Sequence, residues 1–186
     1  MNLFDSIIPK TVTLKPRRKI FISYHHANDQ IYKNILEKIL GDSVIHKSVM
    51  IGDINTDVST DYIARLIRED YLSDASICIV LVGKDTYKRK HIDWEISGAL
   101  DKKVGGYSGL LAIYLPTHPS YNTGQYPPDG IPRRLHKNIE SGYAKMINWT
   151  IDKEVLLNEI ELAFTGRKNS HLIVNRTIPQ MILNRN

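Results

Sequence analysis

The run ASICIVLVG, residues 75–83, decides the fold. It is almost wholly apolar, shows no alternation and ends in glycine, which is the pattern of a strand buried on both faces of a parallel sheet. Working outward, Ile92, Ile96, Ala99 and Leu100 share one face of a helix predicted over 92–102. GLLAIYLP (109–116) then reads as a second buried strand. Upstream, KIFISY (19–24) is a short apolar strand. The polar turn HHAND (25–29) offers Asn28 or Asp29 as a helix cap. Ile31, Ile35, Leu36, Ile39 and Leu40 recur at helical spacing, and Gly41 closes that helix.

SVMI (48–51) reads as a weak strand and GDINTDVST (52–60) as a loop rich in turn residues. Ile63, Leu66, Ile67 and Tyr71 mark a further helix. Residues 116–133 carry five prolines and read as a loop over one end of the sheet. AKMINWT (144–150) is a last strand. DKEVLLNEIELAF (152–164) is a last helix with Leu156, Ile160, Ala163 and Phe164 on one face. Strands alternating with helices predict an α/β, flavodoxin-like three-layer fold with a parallel sheet of about five strands. Residues 1–18 read as an arm, 19–166 as the domain and 167–186 as a tail whose HLIV segment docks or pairs elsewhere.

Hydrophobic residues make up 42% of the chain and charged residues 24%, enough for a core and against disorder. The single cysteine, Cys78, lies inside the central apolar run, so it reads as a core residue in a reducing cytoplasm. No apolar run reaches membrane-spanning length, and MNLFDSIIPK lacks the pattern of a secretory signal. The net charge of +5 is concentrated in KPRRK (15–19), KDTYKRK (84–90) and the acid-free stretch after Glu161. No basic recognition helix, zinc finger or aromatic RNA-binding motif accompanies it, which argues against nucleic acid as the partner.

Ligands of such sheets bind beyond the carboxyl ends of the strands. Those ends carry HHAND, GDINTDVST, GKDTYKRK and the proline-rich loop. The chain has no Walker A loop, no G-x-G-x-x-G after its first strand, no H-E-x-x-H, no C-x-x-C and no G-x-S-x-G elbow. What remains is Glu95, on the margin of the apolar face in RKHIDWEISGAL (89–100). A carboxylate there is half buried, with its head toward the cleft and its pKa raised. Such a group suits the binding of ribose hydroxyls and the stabilisation of an oxocarbenium-like centre. Ordinary glycosidases use two carboxylates, whereas a leaving group that is already cationic, such as the nicotinamide of NAD, needs less acid assistance.

Three blocks in order resemble the TIR superfamily, and more closely the bacterial TIR-like proteins of the Thoeris type. They are KIFISYHHAND, SICIVLVGKDTYKRKHIDWEISGAL and IPRRLHKNIESGYAKMINWT. The resemblance implies that Glu95 is the catalytic residue of an enzyme that cleaves the nicotinamide–ribose bond, with NAD as substrate and no cofactor or metal. It implies an ADP-ribose-derived signal, a cyclic isomer or a conjugate, made in anti-phage defence and sensed by an effector protein. It also implies homo-oligomers, because TIR sites are often completed across subunits. A non-catalytic TIR adaptor acting by homotypic assembly is the alternative.

Under that resemblance Ser23, Tyr24 and His25 line the cleft at the end of the first strand. Asp53 and Asp57 lie in the loop matching the TIR BB loop, with Asp53 the candidate contact and Asp57 read as turn chemistry. Thr86, Lys88, Arg89 and Lys90 precede the catalytic helix, where backbone N–H groups and cations suit a pyrophosphate. His91 stands four residues before the glutamate, where catalytic TIR domains often carry Trp, and Trp94 is adjacent to the acid instead. Tyr24 reads equally well as a structural residue closing the core, and His25 and His26 also read as exposed loop residues, the commoner fate of paired histidines.

Overall fold

The computed structural model describes residues 17–47, 69 and 72–186. Five parallel strands form one sheet: β1 (Arg18–Ser23), β2 (Val44–Lys47), β3 (Ile77–Val82), β4 (Gly109–Tyr114) and β5 (Ala144–Asn148), in the order β2-β1-β3-β4-β5. This is the doubly wound, flavodoxin-like order. β3 sits at the centre, and all six of its residues are buried, as an unbroken apolar run demands. Its register pairs Val80 with Ser23 on one side and Val82 with Tyr114 on the other.

Four helices cover the sheet among the described residues: α1 (His26–Leu40), α2 (Lys90–Ala99), α3 (Arg133–Glu140) and α4 (Lys153–Gly166). The period-two pleat divides the strand residues between two cores. Phe21, Cys78, Val80, Val82, Ala112 and Tyr114 meet Ile92, Trp94 and Ile96 of α2 and Leu135 of α3. Ile20, Ile22, Ile79, Leu81, Leu111 and Ile113 meet Leu36 and Leu40 of α1 and Leu156 and Ile160 of α4. Ser23 has the parity of Phe21, so β1 aims its last side chain at α2.

Several elements differ from the sequence reading. α1 starts at His26 and takes its cap from His25, whose Nδ1 accepts from the Asn28 N–H at 3.1 Å; neither Asn28 nor Asp29 is the cap. Its buried face is Asp29, Leu36 and Leu40, while Ile31 and Ile35 face solvent. Apolar spacing alone gave a stripe rotated away from the true one, because a carboxylate occupies a position in the buried face. The second strand begins at Val44, ahead of SVMI. The SVMI segment, the loop with Asp53 and Asp57, and Ile63, Leu66, Ile67 and Tyr71 of the expected helix lie outside the described residues.

α3 was not expected. RRLHKNIE has few apolar residues, and its buried face uses Arg134 and Asn138 beside Leu135. The stretch after α4 packs on the α2–α3 side, with Leu172 and Ile173 against that core.

β4 starts against the end of α4 so closely that a Cβ on Gly109 would lie 2.2 Å from the Ala163 carbonyl oxygen. Backbone is the obstacle, so no side-chain rotation relieves it. Gly109→Ala is expected to destabilise the fold by about 3 kcal/mol or more in urea denaturation, whereas Gly105→Ala, which meets nothing within 4 Å, should leave the midpoint nearly unchanged.

Candidate active site

α2 is buried from Ile92 through Ala99, so its polar residues Asp93, Glu95 and Ser97 must all find partners away from water. Asp93 receives the Arg134 guanidinium at 3.0 Å and the Met181 N–H at 2.9 Å. Ser97 donates to the Asn175 side chain. Glu95 receives only a neutral donor among the described residues: Ser23 Oγ donates to Oε2 at 2.5 Å. The sequence placed Glu95 at the edge of the apolar face, half exposed. It is instead 3% exposed, facing the end of β1. Burial pushes its carboxyl up to about 8, and the serine hydrogen bond pulls the other way. Near neutrality it therefore holds a proton that a nearby cation would displace.

Tyr24 follows Ser23 and feels the Glu95 charge, and its ring begins a line of aromatic contacts. Tyr24 is buried and donates its hydroxyl to Gln30 at 2.8 Å. Its ring meets that of His26 at 4.3 Å, and the His26 ring lies 5.9 Å from that of His91. His25 is buried rather than exposed, since it caps α1. Burial holds His91 down to about 4, aided by the Arg89 charge and by repulsion from any proton that His26 or His25 takes up, and opposed by a hydrogen bond with the Tyr24 backbone. Burial lowers His25 and His26 as well. The imidazoles thus form an uncharged wall. Nδ1 of His26 and Nε2 of His91 are buried with no hydrogen-bond partner among the described residues.

Thr86 serves a different purpose from the one expected. Its hydroxyl accepts from the Gly83 N–H at 2.8 Å and lies 3.4 Å from Asp29 Oδ2. A Cβ on Gly83 would stand 2.5 Å from Asp29 Oδ1, so β3 ends in glycine to let α1 bring this carboxylate against its backbone. Burial pushes Asp29 up to about 6. The residue thereby fastens the loop leading into α2 rather than lining a cleft.

Trp94 donates its indole N–H to the Met181 carbonyl at 2.8 Å, away from the Glu95 side of the helix. Ser23 bonds Glu95, Tyr24 lies close enough to feel its charge, and His91 stands one turn earlier on α2, while His25 caps α1, Thr86 and Trp94 support the surrounding elements, and Asp53 lies outside the described residues. The sequence reading missed Asp29, whose only signal was its place in a cap-like turn. It missed Arg134 as well, in a segment too polar to read as a packed helix.

Among the described residues no three His, Cys, Asp or Glu side chains form a metal-sized group. Cavities of about 420, 630 and 250 Å³ lie elsewhere, and none is lined by Glu95 or Ser23. No helix of the described residues is long and apolar enough to cross a membrane.

The family model described as "Thoeris protein ThsB, TIR-like domain" matches residues 21–120, a span from β1 past β4 that holds Ser23 and Glu95. The chain belongs to that family. A search of curated proteins finds no match. Among solved structures, the TIR domains of the activated Roq1 resistosome directly recognizing the pathogen effector XopQ are similar at 10% identity and a TM-score of 0.39, over 82% of this chain and 84% of that one.

The buried carboxyl has a measurable signature in stability. A folded-state value of about 8 against an ordinary 4.5 means that the folded chain binds the Glu95 proton more tightly. Stability from this group is full below 4.5 and is lost as pH rises through 8. Glu95→Gln should therefore melt close to wild type near pH 4.5 and above it at pH 8, by about 5 °C or more. A difference that stays constant across this range in thermal scans would contradict the assignment.

Proposed function

We propose that the protein cleaves NAD at the nicotinamide–ribose bond and makes an ADP-ribose-derived signal, a cyclic isomer or a conjugate, that activates an effector protein in anti-phage defence. The observation that carries this reading is the Glu95 carboxyl, buried with a single neutral hydrogen bond among the described residues, from Ser23, in a chain of the Thoeris TIR-like family. A carboxylate left without a guanidinium or lysine among the described residues is free to respond to a cationic substrate. NAD supplies that cation in its nicotinamide ring.

In the proposed reaction the positive charge drives Glu95 to release its proton to solvent, and its carboxylate accepts hydrogen bonds from the hydroxyls of the nicotinamide ribose. The C–N bond breaks, nicotinamide leaves as a neutral molecule with the bonding pair, and positive charge moves to C1′ and the ring oxygen. Glu95 offsets that charge in a site with little water. Capture of C1′ by an adenine nitrogen gives a cyclic isomer. Capture by another nucleophile gives a conjugate, and capture by water gives ADP-ribose. Tyr24, His25 and His91 are the proposed substrate contacts, and neutral imidazoles suit a cationic ring better than charged ones. The proposed setting is the cytoplasm, and the enzyme needs no cofactor.

The alternative is an adaptor that acts by homotypic assembly. The exposed Ile31 and Ile35 on α1 and Ile151 and Val155 near the start of α4 are the observation that favours it. The two readings separate in cells challenged with phage. Mass spectrometry of small-molecule lysates should find an ADP-ribose-type species with wild type and none with Glu95→Gln. Assembly without any Glu95-dependent species would favour the adaptor.

The pH profile of purified enzyme is a sharper test. If the ionised carboxyl is the working form, kcat/KM for nicotinamide release should rise with pH and level off above about 8. Ser23→Ala removes the bond that lowers this value, so its midpoint should move to higher pH. A flat profile between about pH 6 and 9, or one that Ser23→Ala leaves in place, would sink the mechanism.

A further inference from the structure

Glu95 has little holding its own side chain, so its position depends on α2. That helix is gripped along one side by a single segment, residues 175–185. The contacts run in order, antiparallel to the helix. Asn175 donates to the Ser97 carbonyl at 3.1 Å and to Asp101 Oδ1 at 3.0 Å. Gln180 donates to Ser97 Oγ at 3.2 Å. The Met181 N–H donates to Asp93 Oδ2 at 2.9 Å, while its carbonyl accepts from Trp94. The Arg185 N–H donates to the Lys88 carbonyl at 2.9 Å. Lys90, Asp93, Trp94, Ser97 and Asp101 recur at helical spacing, so they form one stripe beside the face that carries Glu95.

Two features make this segment more than packing. The first is the helix start. Arg89 occupies the cap position of α2 but makes no side-chain capping bond. The missing acceptor comes from 94 residues away: Asn184 Oδ1 takes the Lys90 N–H at 2.9 Å. A helix whose first N–H groups lack acceptors frays from that end, and Glu95 lies within its first two turns.

The second feature is Arg134, 1% exposed on α3. Its Nε donates to Asp93 Oδ1 at 3.0 Å, its Nη1 to the Asn175 carbonyl at 2.7 Å, and its Nη2 to the Ile178 carbonyl at 3.0 Å. One guanidinium thus ties α2 and the segment to α3. Beyond that anchor Ile182 and Leu183 are exposed, so hydrogen bonds rather than apolar burial hold the far end.

We propose that residues 175–185 are a positioning strap for α2, with Arg134 as its anchor and Asn184 as the cap it delivers, and that the strap sets Glu95 against Ser23. Asn184 and Arg134 act through the helix and are positioning residues. The proposal rests on the reading of Glu95 as the reacting carboxyl for its effect on turnover, but on geometry alone for its effect on Glu95 itself. The experiment reads both.

Protein labelled with ¹³C at glutamate carboxyls is titrated by NMR, with the Glu95 signal assigned by its loss in Glu95→Gln. Wild type, Asn184→Ala, Asn184→Asp and Arg134→Lys are compared. Asn184 is exposed, so its variants keep the core intact. In Asn184→Ala the Glu95 midpoint should fall from about 8, by about one unit, as water reaches the loosened helix. Asn184→Asp, which restores an acceptor at the cap, should recover it. Arg134→Lys keeps the charge but loses the fork of donors, and should also lower the midpoint. For NAD turnover, Asn184→Ala should lose kcat several-fold with KM unchanged. Folded Asn184→Ala and Arg134→Lys proteins with wild-type Glu95 midpoints and wild-type kcat would overturn the strap. A wild type that never consumes NAD, in which Asn184→Ala still lowers the Glu95 midpoint, would support the strap and remove only the NAD reading.

Discussion

The hydrogen bond from Ser23 to Glu95 joins the end of β1 to the middle of α2, and it is the sole support this buried carboxyl has among the described residues. Two residues earlier on the same helix Asp93 is equally buried, yet it receives a full guanidinium and a backbone N–H. The contrast separates an acid whose charge is matched from one whose charge, among the described residues, is not. Burying a carboxyl with one neutral donor raises the energy of its ionised form, and that energy is recovered only when a cation arrives. A fold that sought stability alone would have placed a leucine there.

The surrounding elements hold this arrangement from several directions. The pleat turns Ser23 toward α2, the central position of β3 fixes the height of the loop before the helix, and Thr86 and Asp29 fasten that loop to α1. On the outer side Arg134 and the segment after α4 hold the helix in register. The polar interior is therefore divided. Its satisfied parts, around Arg134, Asn138 and Asn175, act as scaffold. Its orphan atoms among the described residues include Asp29 Oδ1 and nitrogens of His26, Arg89 and His91, near the carboxyl ends of β1 and β3, with others apart from them on His46, Tyr114 and Glu159.

The sheet and Glu95 were legible in the sequence because their signals are local. An unbroken apolar run, a glycine stop and a helix with an acid near its apolar face can each be read from a few residues. The site around Glu95 was legible only in part. That Ser23 is its partner follows from a register between β1 and β3 that no local pattern reveals. The burial of Glu95 was underestimated because a helical wheel treats solvent as lying just beyond the apolar face, and here the end of β1 lies against that margin. α3 escaped notice because its core contact is an arginine, and α1 was rotated in the reading because its buried face includes Asp29. In each case a polar residue satisfied by a distant partner took a place that hydrophobic periodicity assigns to an apolar one.

The claim at the centre of this account is that a cationic substrate draws the proton from Glu95. Proton release on binding an NAD analogue with a carbocyclic nicotinamide ribose tests it directly, because the analogue keeps the pyridinium charge and the ribose hydroxyls but cannot be cleaved. With the carboxyl at about 8, Glu95 is largely protonated at neutral pH. Calorimetry in buffers of different ionisation enthalpy should then report close to one proton released per site by wild type at pH 7 and none by Glu95→Gln. Equal release by the two proteins, or binding by wild type with no release, would contradict the account.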